Sequence, residues 1–476
     1  MIFRRFYDAK LAQASYLVGC ARTGEALVVD PNRDCEEYVE AARAENLRVS
    51  WVTETHIHAD FVSGSRELAA HTGAQLLLSD AGGEEWRYAY AREAGAQLLV
   101  DGTTFDVGNI RIQALHTPGH TPEHLTFLVT DTAGANRPMG AFTGDFLFVG
   151  DVGRPDLLER ALHVSGSMEA AARQLFASLQ RFLQLPDYLQ IWPGHGAGSA
   201  CGKSLSAVPQ STLGYERLFN WALAVTDEDE FVRMVLAGQP DPPTYFATMK
   251  TINRLGPPIR GALQRPVHVS VERLADALAA GAVVIDTRSA AGFMAGHLPG
   301  SINIPLDRSF STWAGWLVPF DRDVYLIADE RGQGIDSAIH DMAMIGLDRV
   351  AGYAGSNEVE RWAVSHGAGV IRQISAADLA ERLRAGDVAV VDVRERSEFA
   401  SGRVPGAMNV PVGHLANRID ALPRDRQIVL HCQSGARSVI AASVLAARGF
   451  NNIVDLAGGM NAWKAGGYPV APAAAA

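Results

Sequence analysis

An internal repeat in the second half of the chain constrains the fold most strongly. Asp286-Thr287-Arg288 answers Asp392-Val393-Arg394, and residues 296–305 (GHLPGSINIP) answer 402–411 (GRVPGAMNVP), both at an offset of 106. Further on, Gly346-Leu347 answers Gly449-Phe450 and Gly355 answers Gly458, at an offset of 103. Two copies of one α/β domain, differing by a short loop insertion, account for both offsets. A breaker-rich stretch over residues 256–266, opening Gly256-Pro257-Pro258, reads as the linker before them. The expected domains are residues 1–255, 266–366 and 373–472. A chain of 476 residues has room for about three.

In the first domain, short apolar runs alternate with helical patterns. Residues 26–30, 49–55, 75–78, 110–115, 125–129 and 190–192 read as buried strands; 36–44, 66–71 and 168–185 carry helical spacing. Several strands end in clusters of His, Asp and Gly, where α/β sheets keep their chemistry. From about residue 205 to 253 the pattern is mostly helical. A formal charge of -11 argues against nucleic acid or an anionic membrane as the main partner. Four cysteines (Cys20, Cys35, Cys201 and Cys432) are too few for a disulfide scaffold and suit a reducing cytoplasm. Nothing near Met1 reads as a signal peptide, and no stretch reads as a membrane span.

The run Thr55-His56-Ile57-His58-Ala59-Asp60-Phe61 follows one of the apolar segments, and alternation brings every second side chain to one side. Downstream come Thr117-Pro118-Gly119-His120, Thr143-Gly144-Asp145 and Trp192-Pro193-Gly194-His195. Each sets a metal-ligating group just after a predicted strand, beside a Gly that permits a sharp turn. One such His alone would read as an ordinary hydrogen-bonded histidine. In this order the four motifs resemble the metallo-β-lactamase fold, an αβ/βα sandwich with metal at the strand ends. That fold serves many chemistries, so the site must decide. Binuclear hydrolases of the family, such as glyoxalase II, add a His after HxHxD to help hold a second metal. Phe61 stands there and cannot ligate, so one metal is expected.

Two His and one carboxylate with open positions is the pattern of non-haem Fe(II), and the chain resembles the persulfide dioxygenase branch of the fold. The resemblance implies one Fe(II) per chain on His56, His120 and Asp145, with His58, Asp60 and His195 as supporting or water-positioning groups. It also sets Arg154 beside the substrate, able to grip a carboxylate of a thiol persulfide. Cys201, shortly after His195, is a candidate to bind or relay sulfur, set against the ordinary role of a small buried residue.

In the last domain a buried-strand pattern, Ile428-Val429-Leu430-His431, ends at Cys432. Gln433-Ser434-Gly435-Ala436-Arg437 leads into a helical stretch. Cys432 therefore sits at a helix N-terminus, whose N–H groups and dipole favour a thiolate or an anionic persulfide. Arg437 can receive sulfite or thiosulfate. Cysteine phosphatases place five residues between Cys and Arg; here there are four, a cradle sized for one sulfur. The segment resembles a rhodanese active loop, and the repeated Asp392-Val393-Arg394 block fits that family too. In the first copy Asp329 replaces the cysteine, Gly332 answers Gly435, and Gly334 replaces the arginine, so that copy is expected to be inactive.

Together the resemblances span nearly the whole chain. They imply an α/β protein: a metallo-β-lactamase sandwich followed by two rhodanese-like domains with parallel sheets. The implied activity is oxidation of a low-molecular-weight thiol persulfide by O2 to sulfite, with sulfur transfer through Cys432 giving thiosulfate. The partners would be the thiol persulfide, O2 and sulfite, and the likeness implies a homo-oligomer. No pattern selects glutathione, coenzyme A or another thiol as carrier. Two rivals stand: a mononuclear zinc thioester hydrolase fused to a sulfurtransferase, and a structural metal in a sulfur-relay or sensing scaffold.

Overall fold

The computed structural model describes residues 1–162, 166–261, 263–330 and 333–472. The chain divides into two compact units: residues 1–262 with 343–346, and 263–342 with 347–476.

In the first unit, β1 (Ile2–Asp8), β2 (Gln13–Cys20), β3 (Glu25–Val29), β4 (Arg48–Thr53), β5 (Gln75–Ser79) and β6 (Gln97–Leu99) form one sheet in chain order. A second sheet holds β7 (Thr104–Val107), β8 (Ile110–His116), β9 (Leu125–Asp131), β10 (Gly140–Gly144), β11 (Gln190–Pro193) and β12 (Ser211–Thr212). The β3 to β6 pairs are parallel, as is β10 with β11; the other pairs are antiparallel.

Strand alternation explains the layering. Tyr16, Val18, Leu27 and Val29 meet Ile112, Phe127, Phe142 and Trp192 between the sheets. Leu17 and Val28 turn the other way, onto the helices Cys35–Ala44 and Ser65–Thr72. The second sheet's outer face, with Leu128 and Ala141, is covered by the helices Ser167–Phe182 and Glu228–Leu236. The result is an αβ/βα sandwich, and β4, β10 and β11 each end at one of the expected ligand motifs.

The second unit contains two parallel sheets. The first holds β13 (Val283–Asp286), β14 (Ile302–Asn303), β15 (Val324–Ala328) and β16 (Val350–Gly355), in the order β14-β13-β15-β16. The second holds β17 (Gln373–Ile374), β18 (Val388–Asp392), β19 (Met408–Asn409), β20 (Gln427–His431) and β21 (Ile453–Leu456), in the order β17-β21-β20-β18-β19.

The repeat extends to single hydrogen bonds. Arg288 pairs with Asp286 and donates to the Gly296 carbonyl; Arg394 does the same with Asp392 and Gly402. Asn303 bridges the carbonyls of Asp286 and Arg288, as Asn409 bridges those of Asp392 and Arg394. The change of offset falls where the first copy has the helix Phe310–Leu317 and the second the shorter Leu415–Arg418. Among the described residues no helix is long and apolar enough to cross a membrane.

Candidate metal centre and persulfide loop

His56 and His58 follow β4, His120 lies between β8 and β9, Asp145 follows β10, and His195 follows β11. The fold brings His56, His120 and Asp145 together, one ligating atom of each lying within 4.8 Å of the others. Asp145 Oδ2 stands 3.8 Å from His56 Nε2 and 3.5 Å from His120 Nε2. That oxygen is buried and has no hydrogen-bond partner. Left so, it would carry a large desolvation cost. A buried carboxylate oxygen facing two imidazole nitrogens, at distances too long for hydrogen bonds, fits a cation held among the three.

Hydrogen bonds on the far side of each ring support that use. The Thr55 hydroxyl donates to Asp30 Oδ2 at 2.9 Å, so toward His56 Nδ1, at 3.0 Å, it can only accept. His56 therefore carries its proton on Nδ1 and presents a bare Nε2. His120 Nδ1 donates to the Arg154 carbonyl at 3.1 Å, which bares its Nε2 likewise. Burial first, then the neighbouring His58, holds His56 well below the usual imidazole range. Burial depresses His120 too. Neutral imidazoles are what a metal requires.

His195 is clamped at both ring nitrogens, by Asp145 Oδ1 and by Asp60 Oδ2, each at 2.7 Å. Burial opposes its charge, but Asp145 and Asp60 outweigh it and raise its pKa well above the ordinary value. His195 thus orients Asp145 so that Oδ2 is the oxygen left for a cation. His58 turns its Nε2 to Asp30 Oδ1 at 3.1 Å. Its pKa is about 9, because Asp30 outweighs burial. Phe61 is fully buried, with its ring centroid 4.4 Å from that of His58. The side of the site next to His58 is thus apolar. Gly144 makes the Asp145 turn feasible: its φ is +49°, and a Cβ there would lie 2.4 Å from Thr55 Oγ1.

Arg154 and Cys201, the two expected substrate-binding residues, are both buried. Arg154 is forked onto Asp156 at 2.8 and 2.7 Å and donates to the carbonyls of Ala200 and Pro240. Asp156 also pairs with Arg160, and Arg154 braces three loops. Cys201 does lie beside Asp60 and His195. There burial, then the charges of Asp60 and Asp145, push its pKa well above the thiol range. A buried thiol whose pKa is so raised is a weak nucleophile.

The second site lies between β20 and the helix Ala436–Ala447. Cys432 is 1% exposed, and its Sγ accepts from Gly435 N at 3.1 Å and Ser438 Oγ at 3.7 Å. The loop is held from outside. Met460 N and Asn461 N donate to the Cys432 and Gln433 carbonyls, and Arg394 donates to Gln433 Oε1 at 3.1 Å. Ser434 is exposed. Arg437 is shared with Glu398, which holds it through two contacts of 2.6 and 2.8 Å. In the first copy, Asp329 follows β15 as Cys432 follows β20, and Gly334 opens the helix Gly334–Met344; Gly332 lies outside the described residues. Asp30, Thr55, Glu398 and Ser438 escaped the sequence reading. Only Ser438, one residue past Arg437, carried a local signal.

Comparison with known proteins agrees with both halves of this geometry. Residues 9–195 match the metallo-beta-lactamase superfamily, and residues 270–358 and 375–466 each match the rhodanese-like domain. A solved metallo-beta-lactamase structure from Staphylococcus aureus subsp. aureus COL is 44% identical, with a TM-score of 0.69, covering 74% of this chain and 99% of that one. The chain belongs to the metallo-beta-lactamase superfamily. More particularly, it is a fusion of such a domain with two rhodanese-like domains, and its domains are those of an enzyme that uses a metal ion.

A sulfurtransferase of Allochromatium vinosum is 35% identical over 102 residues, 21% of this chain and 95% of its own. The mitochondrial persulfide dioxygenase ETHE1 of Bos taurus is 27% identical, covering 49% of this chain and 80% of its own. A hydroxyacylglutathione hydrolase of Polaromonas sp. is 28% identical, covering 50% and 93%. The chain spans about half (54%) of the length of a beta-lactamase hydrolase-like protein of Xylella fastidiosa, to which it is 30% identical over 251 residues.

Proposed function

We propose that the first domain uses one Fe(II), held by His56, His120 and Asp145, to oxidise a low-molecular-weight thiol persulfide with O2 to sulfite. A second thiol persulfide passes its outer sulfur to the Cys432 thiolate, its own S–S bond breaking to release the thiol, and Cys432 carries that sulfur to the sulfite, giving thiosulfate. The observation that carries the reading is the lone Asp145 Oδ2 facing two bare imidazole nitrogens, with Phe61 beside His58. Two imidazoles and one carboxylate on one side of a metal leave coordination positions open, and Fe(II) so held supplies O2 activation. His195 and Asp60 orient the carboxylate; Thr55 and the Arg154 carbonyl set the imidazole tautomers.

At the second site, sulfur transfer balances without an added redox partner. A lone pair on the sulfite sulfur attacks the outer sulfur of the Cys432 persulfide. The S–S bond breaks, its electron pair returns to the Cys432 thiolate, and thiosulfate leaves. Gly435 N already points at Sγ and stabilises that thiolate, and the Ser438 hydroxyl, shared with the Gly435 carbonyl, stands 3.7 Å from it. Covalent linkage of the two domains raises the local concentration of sulfite at Cys432.

The test is oxygen uptake by anaerobically purified protein given glutathione persulfide or coenzyme A persulfide. Consumption of O2 with sulfite or thiosulfate formed supports the reading. Hydrolysis of a glutathione thioester with no oxygen uptake would replace it with the zinc hydrolase reading, which the hydroxyacylglutathione hydrolase relatives favour.

A further inference from the structure

The pair formed by Arg437 and Glu398 is unexpected in a loop meant to receive anions. Glu398 lies in the helix Arg396–Ala400, and its Oε2 also accepts from Glu395 N at 3.1 Å, so it is anchored from two directions. Burial works against its charge, but Arg437 outweighs burial and holds the carboxyl below its usual range. The two side chains are 23% and 32% exposed, so an anion approaching Cys432 meets both. Arg437 contributes one positive charge to the rim and Glu398 removes it. A guanidinium has five N–H groups; the fork onto Glu398 engages Nη1 and Nη2 and leaves part of the fan for a visitor.

The repeat supplies an internal comparison. At the offsets of the two conserved blocks, Glu398 answers Gly292 and Arg437 answers Gly334, while the next residue of the helix, Phe399, answers Phe293. The copy that lacks the cysteine lacks both members of the pair. Had Glu398 only braced its own helix, there would be no reason for it to go with the nucleophile.

We propose that Glu398 is a positioning residue that acts as a charge filter on the Cys432 loop, weakening the hold of Arg437 on dianions so that thiosulfate is released. This inference rests on the sulfur-transfer reading of that loop. In that direction the sulfur donor is a thiol persulfide, whose terminal sulfur carries one charge, while the product thiosulfate carries two and the acceptor sulfite up to two, so the filter sets faster release of product against weaker capture of acceptor. A carboxylate fixed beside the guanidinium repels the product more than the donor. The same arrangement disfavours the loop as a consumer of thiosulfate.

The test is calorimetric titration of thiosulfate into full-length Cys432→Ser and into Cys432→Ser with Glu398→Gln. Turnover is absent in both, so binding is read whatever the enzyme's reaction proves to be. The filter predicts about three- to tenfold tighter thiosulfate binding with Glu398→Gln, and a steeper loss of affinity with added salt. Glu398→Ala should move affinity the same way, which covers a failure of the first variant to fold. Unchanged or weaker binding, with no change in salt dependence, would overturn the filter and leave Glu398 a structural brace. Separately, failure of the wild-type chain to pass sulfur from a thiol persulfide to sulfite would count against the sulfur-transfer reading, not against this binding result.

Discussion

Thr55 shows how much a single hydroxyl can decide. It gives its proton to Asp30, accepts one from His56, and so fixes which nitrogen of His56 a metal meets. Thr55→Val keeps the shape and removes that link; metal affinity should fall about 10–100-fold, read by titration against a competing chelator. That His56, His120 and Asp145 come together was legible in the sequence, because motifs at strand ends announce such groups. Asp30 and Thr55 were not, because their role depends on hydrogen bonds that only the folded chain brings together.

Asp455 makes a pH prediction at the same scale. Burial raises its pKa from 3.8 to about 6, and Oδ1 has no hydrogen-bond partner. The native state thus holds the Asp455 proton more tightly than the unfolded chain. Its contribution to stability is greatest below the unfolded pKa and is lost as pH rises to about 6. Asp455→Asn should therefore stabilise the second unit by about 2 kcal/mol at pH 7 to 8, with the gain vanishing near pH 4, as denaturant melts across that range would show.

At the scale of elements, both sites are loops that follow a strand, and glycines shape them. Gly435 has a φ of +110° and opens the helix that caps Cys432. Gly435→Ala should cost about 1–2 kcal/mol and disturb the N–H that points at Sγ, lowering sulfur transfer at least about tenfold while leaving oxygen uptake intact. The buried strands β3, β4, β5, β8, β9 and β11 were legible as apolar runs, and the helices over them as 3.6-residue patterns. The β1–β2 hairpin was not. Every residue of β2 is buried, so it lacks alternation, while β1 mixes arginines with aromatics, and its pairing with β2 settles its place. The burial of Arg154 was not legible for a related reason: an arginine in a loop reads as exposed until its buried partner Asp156 is seen.

At the scale of the whole molecule, the repeat was the most legible feature, since a block of identical spacing survives where individual residues drift. Its asymmetry matters as much as its likeness. The buried Asp–Arg pair and the bridging asparagine persist in both copies as scaffold, while cysteine, arginine and glutamate persist only in the second. The first copy therefore keeps the scaffold without the cysteine and the arginine. It still packs against its sister: Asn303 N donates to Ser443 Oγ at 2.8 Å, on the helix that begins beside Cys432. Ser443→Val should lower the unfolding free energy of the second unit by about 1–3 kcal/mol, read from denaturant melts, because it strands a buried N–H.

In the proposed function, two chemistries in one chain act in sequence on sulfur. The ratio of sulfite to thiosulfate formed from glutathione persulfide and O2, by the wild-type chain and by Cys432→Ser, tests that order. Thiosulfate is expected from the wild type and sulfite from Cys432→Ser, at similar oxygen consumption. The same product ratio from both, or no oxygen consumption by either, would contradict it.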